Sequence, residues 1–298
     1  MNAIIRALRV PFLAGSIVPV IIGAAFAFLE KSFDVVFFLV SVLGVAALHT
    51  GANLINDYYD ARGSDSLNVR LNPFSGGSRV IPDRELGPGT MMVMALFFFA
   101  LSLACGIWLV FAGRPLVAVI GLLGLAIAWA YSSPPLQLMS RGWGEIAIFF
   151  AFGPLVTLGT AYVMTDRMSW PAFTAGIPQG FFIAAVIWIN QFPDYDADRA
   201  ANKRNLVVKL GPERARYVYA FVMLAAFFSV LYLVSAVGLH YLIMLSFVST
   251  PLGLKAIWIF WKNYDSHEGI IPAQALTIQT LIAHGVLVSV GLVLGRFI

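Results

Sequence analysis

Apolar runs of about twenty residues, separated by short polar stretches, recur along the whole chain, and each is near the length needed to cross a bilayer as a helix. Nine segments follow from this pattern: Pro11–Leu29, Val35–Leu54, Met91–Phe111, Leu116–Tyr131, Ile146–Val163, Phe173–Asn190, Tyr217–Gly238, Tyr241–Trp261 and Ala275–Leu294. The fourth is short and suits a tilted or partly protein-covered helix. Gly and Pro within the runs are compatible with a bundle, where neighbouring helices satisfy freed backbone groups. The first run follows Arg6 and Arg9 without a small-residue cleavage site, which predicts a retained helix. The pattern therefore predicts an all-α membrane protein: nine transmembrane helices around a central cavity, in one domain over residues 1–298.

Composition agrees. The 298 residues are 60% hydrophobic and 11% charged, with a mean hydropathy of +0.85. Soluble domains carry about 25% charged residues. The single cysteine, Cys105, lies within an apolar run, so no disulfide framework exists and a packing role is expected.

Charge adds orientation. With a cytoplasmic N-terminus, one side carries Arg6, Arg9, Arg62, Arg70, Arg79, Arg84, Arg141, Arg199, Lys203, Arg204, Lys209, Arg214, Arg216 and Lys262. The other side carries Lys31, Arg114, Arg167 and Arg296, while Lys255 falls inside the eighth segment. This asymmetry predicts that the loops after segments two and six face the cytoplasm.

Those two loops also hold nine of the fifteen carboxylates: Asp57, Asp60, Asp65, Asp83 and Glu85, then Asp194, Asp196, Asp198 and Glu213. Acids crowded beside a bilayer repel one another unless a cation intervenes. Hard carboxylate oxygens suit Mg²⁺, which commonly takes one or two of them together with substrate phosphates. Asn53, Asp57 and Asp60 share a helix face at i, i+4 and i+7, with His49 one turn earlier; Asn190, Asp194 and Asp198 fall at i, i+4 and i+8. Both clusters begin as Asn-x-x-x-Asp at a helix end, an internal echo that predicts two facing half-sites. Arg79 in "GGSRVI" and Arg199, Lys203 and Arg204 in "DRAANKRN" supply cations beside the acids. Acids and bases over an apolar bundle fit a Mg²⁺-bound diphosphate whose greasy tail enters the bundle.

Asn56, Asp57 and Asp60 (N-D-x-x-D), Asp194 and Asp198 (D-x-x-x-D), and the stretches "YSSPPLQL" and "GWGEIAIFFAFGPLVTLGTAYV" resemble the UbiA superfamily of intramembrane prenyltransferases over most of the length. Within it the chain is most similar to the 1,4-dihydroxy-2-naphthoate branch of menaquinone synthesis. It departs from the family pattern at Pro193, at the additional acid Asp196, and at Asn202, where Gly is usual. The resemblance implies Mg²⁺ held by Asp57, Asp60, Asp194 and Asp198. It implies a polyprenyl diphosphate and an aromatic acceptor bound by Asn53, Asn56, Arg79, Arg141, Asn190, Lys203 and Arg204, with Asp65 and Tyr131 as catalytic candidates. Arg79, Lys203 and Arg204 would neutralise charge growing on the leaving group, and Tyr131 would face the allylic cation.

Each residue has a plainer reading. Asp65 and Asp196 suit solvated loop acids, Arg141 suits a topology charge, Tyr131 suits packing, and Glu145 suits the negative charge preferred at a helix start. His49 suits an interhelical hydrogen bond better than a ligand role. The expected partners are the diphosphate, the acceptor and membrane lipid, with no nucleic acid. The expected location is the cell (inner) membrane, multi-pass, with the site on the cytoplasmic side. Other superfamily acceptors (4-hydroxybenzoate, homogentisate, haem, chlorophyll-type or glycerol phosphate) are the alternatives. A cation transporter is more distant, because the apolar spans carry few ionisable groups beyond His49, His284 and Lys255.

Overall fold

The computed structural model describes residues 3–68 and 72–298; Arg70, one of the topology charges, lies outside the described residues. Among the described residues no strand forms, and one isolated bridge pairs Asn72 with Ser75. Nine long helices follow in order: α1 (Ala3–Leu29), α2 (Val35–Asp60), α3 (Pro88–Phe111), α4 (Val117–Ser132), α5 (Gly144–Thr165), α6 (Trp170–Asn190), α7 (Pro212–Ser235), α8 (Tyr241–Asn263) and α9 (Ile271–Gly295). Every apolar segment of the sequence thus became a helix.

Eight of these, among the described residues, are long and apolar enough to cross a membrane. The exception is α4. Its 16 residues rise about 24 Å at roughly 1.5 Å per residue, short of a hydrocarbon core of about 30 Å. The sequence stops it on both sides: Arg114-Pro115 precedes it, and Ser133-Pro134-Pro135 follows, where Pro has no N–H to continue the ladder. Eight of the nine expected segments thus meet the length of a span among the described residues, and the fourth forms the short helix its sequence suggested.

Local chemistry sets the other ends. The Asp34 carboxylate accepts from the N–H groups of Val36 and Phe37 at 2.8 and 2.9 Å and caps α2. Proline stands in the first turn of α3, α7 and α9, where its missing donor costs nothing. α1 breaks at Arg9, which takes a left-handed φ of 49° before the short 3₁₀ turn Val10–Leu13. Pro154 interrupts the ladder of α5, and Ala151–Leu155 widens to a π-turn.

The core gathers on α6, whose Phe182, Trp188 and Ile189 are buried against α1, α5, α7 and α9. Small residues allow the closest crossing: a Cβ on Gly153 would come within 2.6 Å of the Gly176 carbonyl oxygen. Buried hydrogen bonds fix the layers. The Trp188 indole donates to the Ala215 carbonyl at 2.9 Å, and the Tyr219 and Thr277 hydroxyls meet at 2.6 Å. A smaller cluster (Leu54, Ile55, Met91, Ala95, Phe99) joins α2 to α3. Between the two clusters lies a cavity of about 650 Å³, walled by α2, α3, α4, α5 and α6.

Candidate active site

Both Asn-x-x-x-Asp clusters reach this cavity, from opposite walls. α2 runs past the expected segment end at Leu54 to Asp60, so the first motif forms on helical backbone. Asn53, Asn56 and Asp60 line the cavity. The Asn56 side-chain amide donates to Asp60 Oδ2 and to the Ser132 hydroxyl at 3.1 Å each, which ties α2 to α4. The buried Asn53 Nδ2 has no partner among the described residues. Asp57 sits behind this wall, 3% exposed, held by the Arg9 guanidinium at 3.4 Å and the Ser78 backbone N–H at 3.3 Å.

The second cluster is built differently from the expectation. Asn190 ends α6, residues 191–194 turn, and a separate short helix, Tyr195–Ala200, begins with Asp194 as its N-cap. Pro193 explains the break, since it cannot donate to a continuing helix. Asp194 and Asp198 still line the cavity beside Asn190, while Asp196 is exposed on the other side of the short helix. Asn202 takes a left-handed φ of 58°, the conformation for which Gly is best suited and Asn next best.

One lysine and one loop join the half-sites. Lys203 Nζ lies 2.8 Å from Asp60 Oδ1 and 3.5 Å from Asp198 Oδ1. The loop after the short helix Ser64–Leu67 returns through Gly76 and Gly77, both in left-handed backbone, φ 78° and 67°. The Gly76 N–H donates to Asp194 Oδ2 at 3.1 Å, and the Asn68 amide donates to Asp194 Oδ1 at 2.7 Å. A Cβ built on Gly77 would strike Asp65 Oδ2 and stand 3.2 Å from Asp57 Oδ1. Hence the Gly-Gly turn is the cradle in which Asp57, Asp65 and Asp194 come together. Gly77→Ala is expected to lower turnover by about a hundredfold or more by displacing Asp65. Gly113→Ala carries the same positive-φ strain (φ 86°) with nothing within 4 Å of its Cβ, and is expected to leave turnover within about twofold. Equal losses in a single-turnover assay would mean that backbone strain, not the acid cradle, is being measured.

Electrostatics follow from enclosure. Burial, reinforced by Asp60 and Asp57, pushes the Asp65 carboxyl up to about 8; burial and Asp198 push Asp194 up to about 7. Burial also raises Asp198, against the pull of Lys203. Burial works against the charge of Lys203, but Asp60 and Asp198 outweigh it and hold its ammonium above the usual lysine range. Five carboxylates (Asp57, Asp60, Asp65, Asp194, Asp198) thus face two nearby cations, Lys203 and Arg9. That excess suits divalent cations. Among the described residues no group of three acid, His or Cys side chains is placed to hold a metal ion by itself. The donor set therefore fits Mg²⁺, which needs only one or two carboxylates with phosphate and water, rather than a metal that demands a closed protein cage.

The remaining predicted residues divide. Asn190 Oδ1 accepts from Gln274 at 2.9 Å, and Gln274 accepts from Asn72 at 2.9 Å, a buried amide chain that holds the loop over the cavity. Tyr131 lines the cavity. Arg79 reaches away from it, donating to the Asp65 and Asn68 carbonyls at 2.7 and 3.1 Å and pairing with Asp83. Arg141 donates to the Pro135 carbonyl at 2.7 Å on the outer surface, and Arg204 is exposed with its backbone N–H on the Ser140 carbonyl. His49 meets Ser16 of α1 at 3.0 Å, an interhelical hydrogen bond. Arg9 is the contributor that sequence reasoning counted only as a topology charge; the signal was the helix-breaking Pro11 beside it. Asn68 and the Gly-Gly turn were likewise passed over.

Beyond the acids the cavity turns apolar and continues toward the far ends of α2, α3 and α5, past Gly44, Ile120, Gly159 and Val163. Its wall includes the exposed apolar side chains Leu103, Ile107 and Phe111 of α3 and Leu122 of α4.

The profile of the UbiA prenyltransferase family matches residues 16–293. The 1,4-dihydroxy-2-naphthoate octaprenyltransferase of Bacillus subtilis is 26% identical over 96% of this chain and 90% of its own length. That of Mycobacterium tuberculosis is 31% identical over 73% of this chain and 72% of its own. Among solved structures, a UbiA homolog from Aeropyrum pernix superposes with a TM-score of 0.72 at 18% identity, covering 92% of this chain and 97% of that one. One from Archaeoglobus fulgidus, bound to DMAPP and Mg²⁺, superposes with a TM-score of 0.68 at 19% identity, covering 97% and 99%.

Proposed function

The chain belongs to the UbiA prenyltransferase family and is a multi-pass membrane prenyltransferase, and from that premise we propose that it transfers a polyprenyl group from polyprenyl diphosphate to 1,4-dihydroxy-2-naphthoate in menaquinone synthesis. The observation that carries this reading is one cavity that joins a cluster of acids to a long apolar interior. A diphosphate with a long tail needs both ends. The naphthoate acceptor is supported by the relatives in Bacillus subtilis and Mycobacterium tuberculosis. The Lys and Arg asymmetry supports a cytoplasmic N-terminus and a site on the cytoplasmic side of the cell membrane, within a single domain spanning residues 1–298.

Asp57, Asp60, Asp65, Asp194 and Asp198 would share the Mg²⁺ ions. When bound, the metal neutralises the diphosphate oxygens as charge grows on them. Lys203 sits where it can add a fixed positive charge beside those oxygens, and Asn53 offers an unpaired amide N–H on the same wall. Tyr131 presents its ring to the cavity, a surface for an allylic cation worth on the order of 0.5–2 kcal/mol. The apolar walls exclude the water that would quench that cation.

The test is an assay of the purified protein in lipid vesicles with octaprenyl diphosphate, Mg²⁺ and a panel of aromatic acceptors. Prenylated naphthoate with release of CO₂, lost on addition of EDTA, is expected. Diphosphate release with another acceptor alone would move the chain to a different branch, and no product under conditions that support a known member would sink the reading.

pH dependence follows from the raised carboxyls. Mg²⁺ must displace protons from Asp65 and Asp194, so its affinity should rise with pH and level off above about 8. Because the folded values lie above the ordinary carboxylate range, neutral carboxyls favour the metal-free fold at low pH. That contribution is lost as pH rises through about 7 and 8. Metal-free protein should thus melt lower at pH 8 than at pH 6, and Mg²⁺ should stabilise it most at pH 8. A melting temperature insensitive to both would mean these carboxylates are already ionised and compensated.

A further inference from the structure

Glu145 opens α5 and is 5% exposed, yet it does more than face a helix dipole. Its Oε1 accepts a 2.8 Å hydrogen bond from the side-chain amide of Gln191, the residue that follows α6. The Gln191 NH₂ is the group presented to the carboxyl oxygen. The Gln191 carbonyl oxygen is thereby turned away from Glu145. That oxygen is buried and has no partner among the described residues, and Gln191 lines the cavity three residues before Asp194. The carbonyl oxygen of its neighbour Asn190 is already bonded to Gln274, so the Gln191 oxygen is the amide acceptor left without a donor at this point of the wall. Tyr131 belongs to the same wall and packs on Gly144, where a Cβ would stand 3.1 Å from its ring.

A fixed, buried carbonyl oxygen asks for a donor. The diphosphate offers only oxygens that accept, and the prenyl tail offers no donor at all. A hydroxylated aromatic ring does offer one. We propose that Gln191 recognises a ring hydroxyl of the aromatic acceptor, with Glu145 as the positioning residue that fixes the orientation of its amide. Gln191 thus separates the acceptor from the prenyl substrate within one cavity and rests the acceptor hydroxyl against the wall that carries Tyr131. The inference rests on the reading of the chain as an aromatic prenyltransferase. A site built to pair a hydroxyl rejects the analogue that lacks it, because the protein group is then left buried and unpaired.

The experiment is steady-state kinetics of the full chain in vesicles, with 1,4-dihydroxy-2-naphthoate and its two mono-O-methyl ethers as acceptors. Wild-type protein is expected to disfavour one ether by about tenfold or more in kcat/KM. Gln191→Met, close to isosteric but without the carbonyl, should raise KM for the acceptor by a similar factor. It should leave KM for the prenyl diphosphate unchanged and erase the discrimination against the ether. Glu145→Gln keeps an acceptor for the Gln191 NH₂ but also permits the reversed pairing, with the Gln191 carbonyl turned toward residue 145, and should give a smaller loss of the same acceptor-specific kind with folding preserved. Equal losses for both substrates, or discrimination undiminished in both variants, would overturn the assignment. Wild-type protein that prenylates no hydroxylated aromatic, while releasing diphosphate with another acceptor, would sink the functional reading and this inference with it.

Discussion

Asp194→Ala is expected to lower turnover by about a thousandfold or more while leaving the metal-free protein as stable as wild type, or more so. Two opposing roles of the same carboxylate lead to this result. For chemistry, Asp194 lines the cavity and is held in place by the Gly76 N–H and the Asn68 amide, so in the proposed mechanism its oxygens would be preorganised for a cation shared with the diphosphate. Losing a preorganised group that stabilises developing charge costs roughly 3–4 kcal/mol, two to three powers of ten, and loss of the metal it would hold would add to that. For stability, Asp194 is a liability: enclosure and Asp198 push its carboxyl up to about 7, which signals an ionised form that the fold disfavours. Removing it relieves that repulsion, and the two donors it leaves face a polar cavity mouth that water can fill. The check is paired: single-turnover product formation, and melting temperature at pH 8 without metal. Asp57→Ala makes an informative contrast. Asp57 is off the cavity wall and paired with Arg9, so its loss should cost both turnover and stability. An Asp194→Ala protein with more than about a tenth of wild-type turnover would remove Asp194 from the metal site.

Much of this arrangement is legible from residue type and spacing alone, for a physical reason. A bilayer imposes a length on apolar runs, so α1 to α9 can be read off the hydrophobic pattern, although α1 starts at Ala3 rather than Pro11 and α2 runs on from Leu54 to Asp60. The acids are legible because carboxylates at the ends of α2 and α6 have no cheap explanation next to hydrocarbon. What the pattern hides is how chain direction changes between helices. Pro193 turns what reads as one helix from Asn190 to Asp198 into a turn and a new short helix, although the acids still share the cavity. The Gly76-Gly77 turn reads as an ordinary loop, and only its folded position reveals that two missing side chains make room for Asp65 and Asp57. Arginine is the hardest to read. Arg79 and Arg9 carry the same charge in the sequence, yet Arg79 is spent on the Asp65 and Asn68 carbonyls while Arg9 reaches Asp57 and the cavity. The length of an arginine side chain lets it serve either backbone or site, and spacing does not choose between them.

Lys203→Met should be the most damaging substitution of a basic residue, and for two separable reasons. The ammonium lies between Asp60 on α2 and Asp198 on the short helix after α6, with 14% of its side chain exposed, so it is the pin that closes one half-site on the other. Removing one partner of such an enclosed pair leaves uncompensated charge, a loss of about 3–5 kcal/mol where burial is complete and somewhat less here. Two carboxylates rather than one are abandoned, beside Asp65, Asp57 and Asp194. Added Mg²⁺ can replace that lost positive charge, so millimolar Mg²⁺ should restore most of the melting temperature. Lys203→Met combined with Asp198→Asn should restore it without metal, because the acid excess is then reduced from the other side. Turnover should recover in neither case. A lysine beside the departing diphosphate contributes only as charge grows there, and neither a shifted metal ion nor a neutral amide in place of the Asp198 carboxylate supplies that contribution. If stability and turnover recover together with Mg²⁺, Lys203 is a structural pin and the leaving group is neutralised elsewhere. If stability recovers while single-turnover rates stay down by about a hundredfold or more, the same ammonium both closes the site and serves the chemistry inside it.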